Sequence, residues 1–256
     1  MTVVTVVSAK GSPGVSLTTW GITHCWPRGA IGAEVDPSGG SWALTHGLTT
    51  DPGLMDLAAE QGLITGAVLE RCSTAIGASK RLICAPREPL LVRRALEWME
   101  DRLLAWPEPF DVIADVGRLD PSSNHPLVSR ADAIVVCTHT SAAGLGATAA
   151  LLASLDRQIK VGAIVRIVTI GSDPYGPAEA MDALKELANP RLNLGFGAAL
   201  PNDPRLAALL VQGGRKASKI CSAWYGALAM DLATATAYRS VIVPPHETLA
   251  AVGGAR

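Results

Sequence analysis

Short runs of β-branched and aliphatic residues recur along the chain. Each is followed by a turn rich in Gly, Pro, Ser or Asp and then by a stretch with helical periodicity. Thr2 to Val7 is the first run, and it stops at Lys10-Gly11-Ser12-Pro13-Gly14. An unbroken apolar run, rather than an alternating one, reads as a strand covered on both faces. The same pattern predicts strands over Ala30 to Val35, Arg81 to Ala85, Asp111 to Asp115, Ala133 to Cys137, Val161 to Val168 and Leu192 to Leu200. Helices are predicted over Ser16 to Cys25, Leu54 to Ala75 with a break at Gly62, and Leu90 to Leu104. Four more follow over Ala142 to Leu155, Ala178 to Leu187, Pro204 to Val211 and Ser218 to Thr234. Pro27 and Gly29 end the first helix, and Ser141 stands where it can cap the one at Ala142. Strands alternating with helices predict an α/β fold: a mostly parallel twisted sheet with helices on both faces. Ligands of such sheets sit at the carboxyl ends of the strands. The polar turns Lys10–Ser16, Asp36–Gly40 and Asp115–Asp120 all follow strands, so they are expected to converge on one edge.

Composition narrows the class. The chain has 256 residues, 48% hydrophobic and 18% charged, which supplies one large core and excludes a disordered chain. The expected organisation is a single domain over 1–240 and a tail over 241–256 that contains Pro244-Pro245 and Gly253-Gly254. A net charge of -1 gives no bulk attraction to nucleic acid or anionic lipid. The five cysteines (Cys25, Cys72, Cys84, Cys137, Cys221) form no CxxC pair, so neither a disulfide framework nor a zinc site is expected, and a reducing cytoplasm suits them. The start of the chain carries no signal-peptide pattern. Ala142 to Leu155 falls short of the roughly 20 residues that a membrane span needs. The five histidines have no metal spacing.

The first turn is the candidate chemical site. A phosphate-binding loop uses glycines so that main-chain N–H groups can ring the phosphates. A lysine follows the last glycine, and the next Ser or Thr holds magnesium. Here Gly14 and Ser16 fit that order, while Val15 occupies the place of the lysine. An ordinary strand–turn–helix connection punctuated by Gly and Pro would look the same, so the loop alone leaves both readings open.

The wider pattern resembles the MinD/ParA family of dimerising ATPases. Lys10 matches the extra signature lysine near the start of their deviant Walker motif, which in the family reaches the phosphates of the partner subunit. Gly11 and Gly14 match the family glycines, Ser12 replaces a third, and Ser16 matches the magnesium ligand. Glu34-Val35-Asp36-Pro37-Ser38-Gly39-Gly40 resembles D-x-D-P-Q-G-G, with Asp36 matching the acid that orients the attacking water and Glu34 replacing the first acid. Phe110 to Asp115 resembles the Walker B strand with one spacer fewer, and Asp115 matches the acid behind magnesium. Gly197 to Asp203 resembles the G-x-I-P-x-D element near the adenine. Arg166 stands near where the family has a base-reading Asn.

The resemblance implies ATP bound by Gly11, Ser12, Pro13, Gly14, Val15, Ser16 and Leu17, with Pro201 and Asp203 near the base. It implies Mg2+ held through Ser16, Asp36 and Asp115, and catalysis through Asp36 and Lys10. Without the phosphate lysine, hydrolysis is expected to be very slow or absent. The implied function is a dimerisation switch or scaffold in the cytoplasm that positions machinery such as a pilus or secretion apparatus, as in TadZ/CpaE-like members. It would act as a homodimer and as the protein partner of a larger assembly. The alternative is an active ParA-type partition ATPase, for which Arg215, Lys216 and Lys219 supply a small basic footprint toward non-specific DNA. A metabolic or metal-transfer enzyme of the same superfamily lacks its expected cysteine and substrate motifs. The C-terminal end has no amphipathic helix pattern, so direct membrane insertion is not expected.

Overall fold

A computed structural model describes residues 1–11, 14–77, 79–99, 110–123, 125–212 and 214–242. Its strands are β1 (Val3–Ser8), β2 (Ala30–Glu34), β3 (Thr74–Ala75), β4 (Lys80–Ile83), β5 (Asp111–Arg118), β6 (Ala133–His139), β7 (Ile164–Ile170) and β8 (Asn193–Leu200). They form one sheet in the order β3-β4-β2-β5-β1-β6-β7-β8. The pairings from β4 through β8 are all parallel, and the two-residue β3 is antiparallel to β4. The parallel sheet expected from unbroken apolar runs is therefore present.

Among the described residues the helices are α1 (Val15–Cys25), α2 (Trp42–His46), α3 (Leu54–Ala59), α4 (Gly66–Arg71), α5 (Pro89–Met99), α6 (Pro126–Arg130), α7 (Ala142–Gln158), α8 (Pro177–Leu187), α9 (Pro204–Gln212) and α10 (Gly214–Ile242). Both sheet faces are buried. Ile31, Ala33, Val112, Ala114, Ile134 and Val136 join the cluster that also takes in residues of α3, α5, α7 and α8. Their neighbours Val4, Val6, Ile113, Ala133 and Val135 join the cluster under α1 and α10. The period of two along a strand thus serves two apolar layers at once.

Some boundaries differ from the sequence expectation, each for a local reason. β7 begins at Ile164 because Ala163 N–H bonds to Lys160 O (3.0 Å) around Gly162 at φ +80°, leaving Val161 fully exposed. The segment 54–75 is two short helices, α4 being capped by Thr65, whose Oγ1 accepts Val68 N–H (3.2 Å). Ser141 caps α7 as expected, accepting Gly144 N–H at 3.2 Å. α2 and α6 are single turns too short to show a period. α10 is 29 residues long and starts immediately after position 213. The end of the helix predicted to Leu104, and residues 243–256 of the tail, lie outside the described residues. No helix among the described residues is long and apolar enough to cross a membrane.

Candidate functional site

β1, β5 and β2 lie side by side and parallel, so the three polar turns open at one edge as the strand order requires. The first turn contains Gly11 (φ +71°) and Gly14 (φ +66°). Gly14 is the N-cap of α1 and offers no side chain to the first-turn amides. Those donors and the positive end of the helix dipole are therefore available to an anion. Lys10 is exposed. Val15 is buried in the apolar layer beneath the loop, and Ser16 and Leu17 are partly buried. Ser12 and Pro13 lie outside the described residues.

Asp115 lies inside β5, not in the turn after it. Between Val6 and Val7 the β1–β5 register jumps from Asp115 to Gly117, so Val116 forms a bulge. Gly117, at φ +69°, donates its N–H to Asp115 Oδ1 (3.0 Å). A Cβ at Gly117 would stand 2.0 Å from Asp36 Oδ2, so the Asp36 carboxylate rests directly on this glycine. Asp36 Oδ1 also accepts Ser38 N–H (2.7 Å). The structure thus brings Ser16, Asp36 and Asp115 together around one glycine that the sequence reading did not single out.

Asp115 is 1% exposed, and its Oδ2 has no hydrogen-bond partner among the described residues. Burial pushes its carboxyl up to about 7; the Ser16 hydroxyl counters this, while Glu34 and Asp36 add to it. An unpartnered buried carboxylate oxygen beside a serine hydroxyl and a second carboxylate is a donor set for a hard cation. The residues present therefore fit Mg2+, with Ser16, Asp36 and Asp115 as the groups that would hold it or its waters.

Glu34 has a different task. Its Oε1 accepts Ser41 N–H (2.5 Å) and Trp42 N–H (3.0 Å), and its Oε2 accepts Ala85 N–H (3.0 Å). Burial raises its pKa and these amides pull it back. The side chain fastens the start of α2 and the end of β4 rather than facing a ligand. Asp111, at the other end of β5, is likewise structural: it accepts Thr2 N–H, Trp26 Nε1–H and the Arg28 guanidinium.

Two cavities adjoin at Gly14, Leu17 and Ala207. One, about 300 Å³, is bounded by Ser16, Asp36, Trp42, His46 and Gly117. The other, about 250 Å³, is bounded by Ile170, Pro201, Asn202, Asp203, Trp224 and Tyr225. Pro201 and Asp203 thus bound a cavity that also touches the loop, and Asp203 Oδ1 is engaged with Arg205 N–H (2.8 Å) at the start of α9. His139 and Asn202 also line the second cavity and were not anticipated. Arg166 is not at this site. It lies in the first half of β7, where its Nε bonds Asp231 of α10 (2.7 Å) and its Nη1 bonds main-chain carbonyls. No lysine or arginine is among the described residues bounding either cavity.

Fold and edge together define an α/β class of protein whose polar strand-end turns meet at the start of α1. No protein-family model matches the chain, and no curated protein matches its sequence. Solved structures do match. The cell division ATPase MinD of Pyrococcus furiosus superposes with TM-score 0.66 at 16% identity, covering 93% of this chain and 99% of that one. A ParA family ATPase from Chlorobium tepidum gives TM-score 0.63, 16% identity and the same coverage. MinD from Pyrococcus horikoshii, solved with Mg-ADP, gives TM-score 0.62 at 13% identity, covering 94% and 96%. The chain has the MinD/ParA fold.

Proposed function

We propose that this chain binds a magnesium–adenine nucleotide at the Gly11–Leu17 turn and uses it as a dimerisation switch or scaffold, with hydrolysis very slow or absent. It positions a larger cellular assembly, of which a pilus or secretion apparatus is the specific candidate. The observation that carries the reading is the unpartnered, buried Asp115 Oδ2 beside Ser16 and Asp36, next to the uncapped start of α1. The resemblance set out above and the Mg-ADP bound by a protein of the same fold support it.

The α1 amides hold phosphate oxygens, while Ser16, Asp36 and Asp115 hold the cation or its waters. Magnesium, when bound, neutralises charge on the β- and γ-phosphates. Ile170, Pro201 and Trp224 provide apolar walls for a base. The Val15 side chain contributes neither charge nor a donor, so charge that develops during phosphoryl transfer is left largely unmet within one subunit. Lys10, exposed on the same turn, is free to serve a second subunit across a dimer.

Calorimetric titration with ATP, with and without Mg2+, followed by sizing, tests the reading. The expected result is magnesium-dependent binding, a shift toward dimer, and little or no phosphate release. Absence of binding refutes the nucleotide site. A fast ATPase rate abolished by Asp36→Ala refutes the slow-switch reading and favours the partition ATPase. Arg215, Lys216 and Lys219 are exposed at the start of α10, which keeps that second reading concrete. DNA binding measured across a salt series decides it, since a real phosphate interface weakens steeply with salt.

A further inference from the structure

α1 and α10 cross unusually close to each other because of one residue. A Cβ at Gly21 would stand 2.1 Å from the Tyr225 ring, so the ring occupies the space that any other side chain would need. The helices run in opposite directions at this contact. One turn further along α1 is Cys25, and one turn back along α10 is Cys221. Their sulfurs lie 3.5 Å apart, and Cys221 also donates toward Gly21 O (3.7 Å).

From this juxtaposition we infer that Cys25 and Cys221 are a redox modification site that closes to an intrachain disulfide when a small disulfide oxidant is present. Their sulfurs already face each other across packed helices, so closing the gap asks for a side-chain adjustment rather than a change of fold. Cys25 is the partly exposed member, while Cys221 is 3% exposed. The hydrogen bond between the two thiols lowers the Cys25 pKa, and the Lys80 ammonium lowers it further. Cys25 is therefore the attacking thiolate and Cys221 the resolving thiol. The remaining cysteines are poor competitors: Cys72, Cys84 and Cys137 are at most 2% exposed, and burial pushes the last two up to about 12.

The chemistry balances with glutathione disulfide as the oxidant. The Cys25 thiolate attacks one oxidant sulfur, the oxidant S–S bond breaks, and one glutathione leaves carrying the Cys25 proton. Cys221 then attacks the Cys25 sulfur of the mixed disulfide. That S–S bond breaks, and the second glutathione leaves with the Cys221 proton. Two protein thiols lose two electrons, and one oxidant disulfide becomes two thiols. The new bond would staple the helix that begins at the phosphate turn to the helix that carries Trp224 and Tyr225 one turn later.

The full-length chain is incubated with glutathione disulfide, acid-quenched, denatured, alkylated and mapped by mass spectrometry. The expected product is a monomer about 2 Da lighter before alkylation. A Cys25–Cys221 linked peptide accompanies it, with the other three cysteines alkylated. Cys25→Ser and Cys221→Ser each prevent the link, and Cys84→Ser leaves it intact. The thermal midpoint of the wild-type chain rises by several degrees on oxidation and falls back with dithiothreitol, while Cys25→Ser shows no such rise. A stable glutathione adduct with Cys221 still alkylatable overturns the inference. So does a covalent dimer, a link through Cys72, Cys84 or Cys137, or a midpoint that stays level or drops on oxidation.

Discussion

Gly117→Ala tests the geometry on which the metal-side reading stands. An alanine there meets two costs. The backbone is at φ +69°, where a Cβ costs about 1 kcal/mol relative to glycine. The new methyl would also stand 2.0 Å from Asp36 Oδ2. The carboxylate must swing by roughly 1 Å or more, which weakens the 2.7 Å Ser38 N–H bond and adds about 2 kcal/mol. The substitution is therefore expected to destabilise the nucleotide-free protein by about 3 kcal/mol. The second cost requires the Asp36 side chain, so it vanishes when that side chain is truncated. In an Asp36→Ala background Gly117→Ala should cost only about 1 kcal/mol, a coupling of about 2 kcal/mol. Urea denaturation of the four proteins of the cycle, without magnesium, reads this directly. Equal costs in both backgrounds would show that Asp36 does not rest on Gly117.

Asp115→Asn addresses the buried carboxyl. Its folded pKa, about 7, lies above its ordinary 3.8, so the folded state holds an extra proton between those values and loses stability as pH rises through them. Without magnesium, wild-type stability should fall between pH 5 and pH 8 by about 2–3 kcal/mol, and Asp115→Asn should flatten most of that fall, as followed by urea midpoints. Glu34 leaves a residual slope of the same sign, because its pKa is also raised by burial. Glu34→Ala strands the Ser41, Trp42 and Ala85 amides and should cost about 3–5 kcal/mol in chemical denaturation; a cost below 1 kcal/mol would show the amides to be otherwise satisfied. Gly21→Ala should force α1 from Tyr225, lower the melting midpoint, and cut the yield of the Cys25–Cys221 bond; an unchanged yield would detach the cysteine contact from the helix approach.

The architecture was readable because runs such as Val3 to Val7 and Ala133 to Cys137 are apolar on both faces, which a parallel sheet demands. The bulge at Val116 was not readable. It depends on how β5 registers against β1, and that register belongs to two strands more than 100 residues apart rather than to either one. Gly117 could have been noticed as a glycine two residues beyond a candidate acid, but nothing local says which carboxylate comes to lie on it. Arg166 shows the opposite limit. It lies near the expected position in sequence, yet its partner is Asp231, and the helix carrying that residue was predicted to end at Thr234 and in fact continues to Ile242. Cys25 and Cys221 carry no pairing signal in the sequence, since 196 positions separate them and only the antiparallel crossing of their helices joins them.

The reach of α10 has a mechanical corollary. Its 29 residues make a rod about 43 Å long. The rod touches the cavity wall through Tyr225, Arg166 on β7 through Asp231, and Thr2 beside the opposite rim of the sheet through a Thr236 hydroxyl contact of 3.3 Å. A stiff strut anchored at three stations cannot tilt at one and stay still at the others. A displacement of α1, which packs on this rod through the Gly21–Tyr225 contact, would therefore be felt at all three stations together.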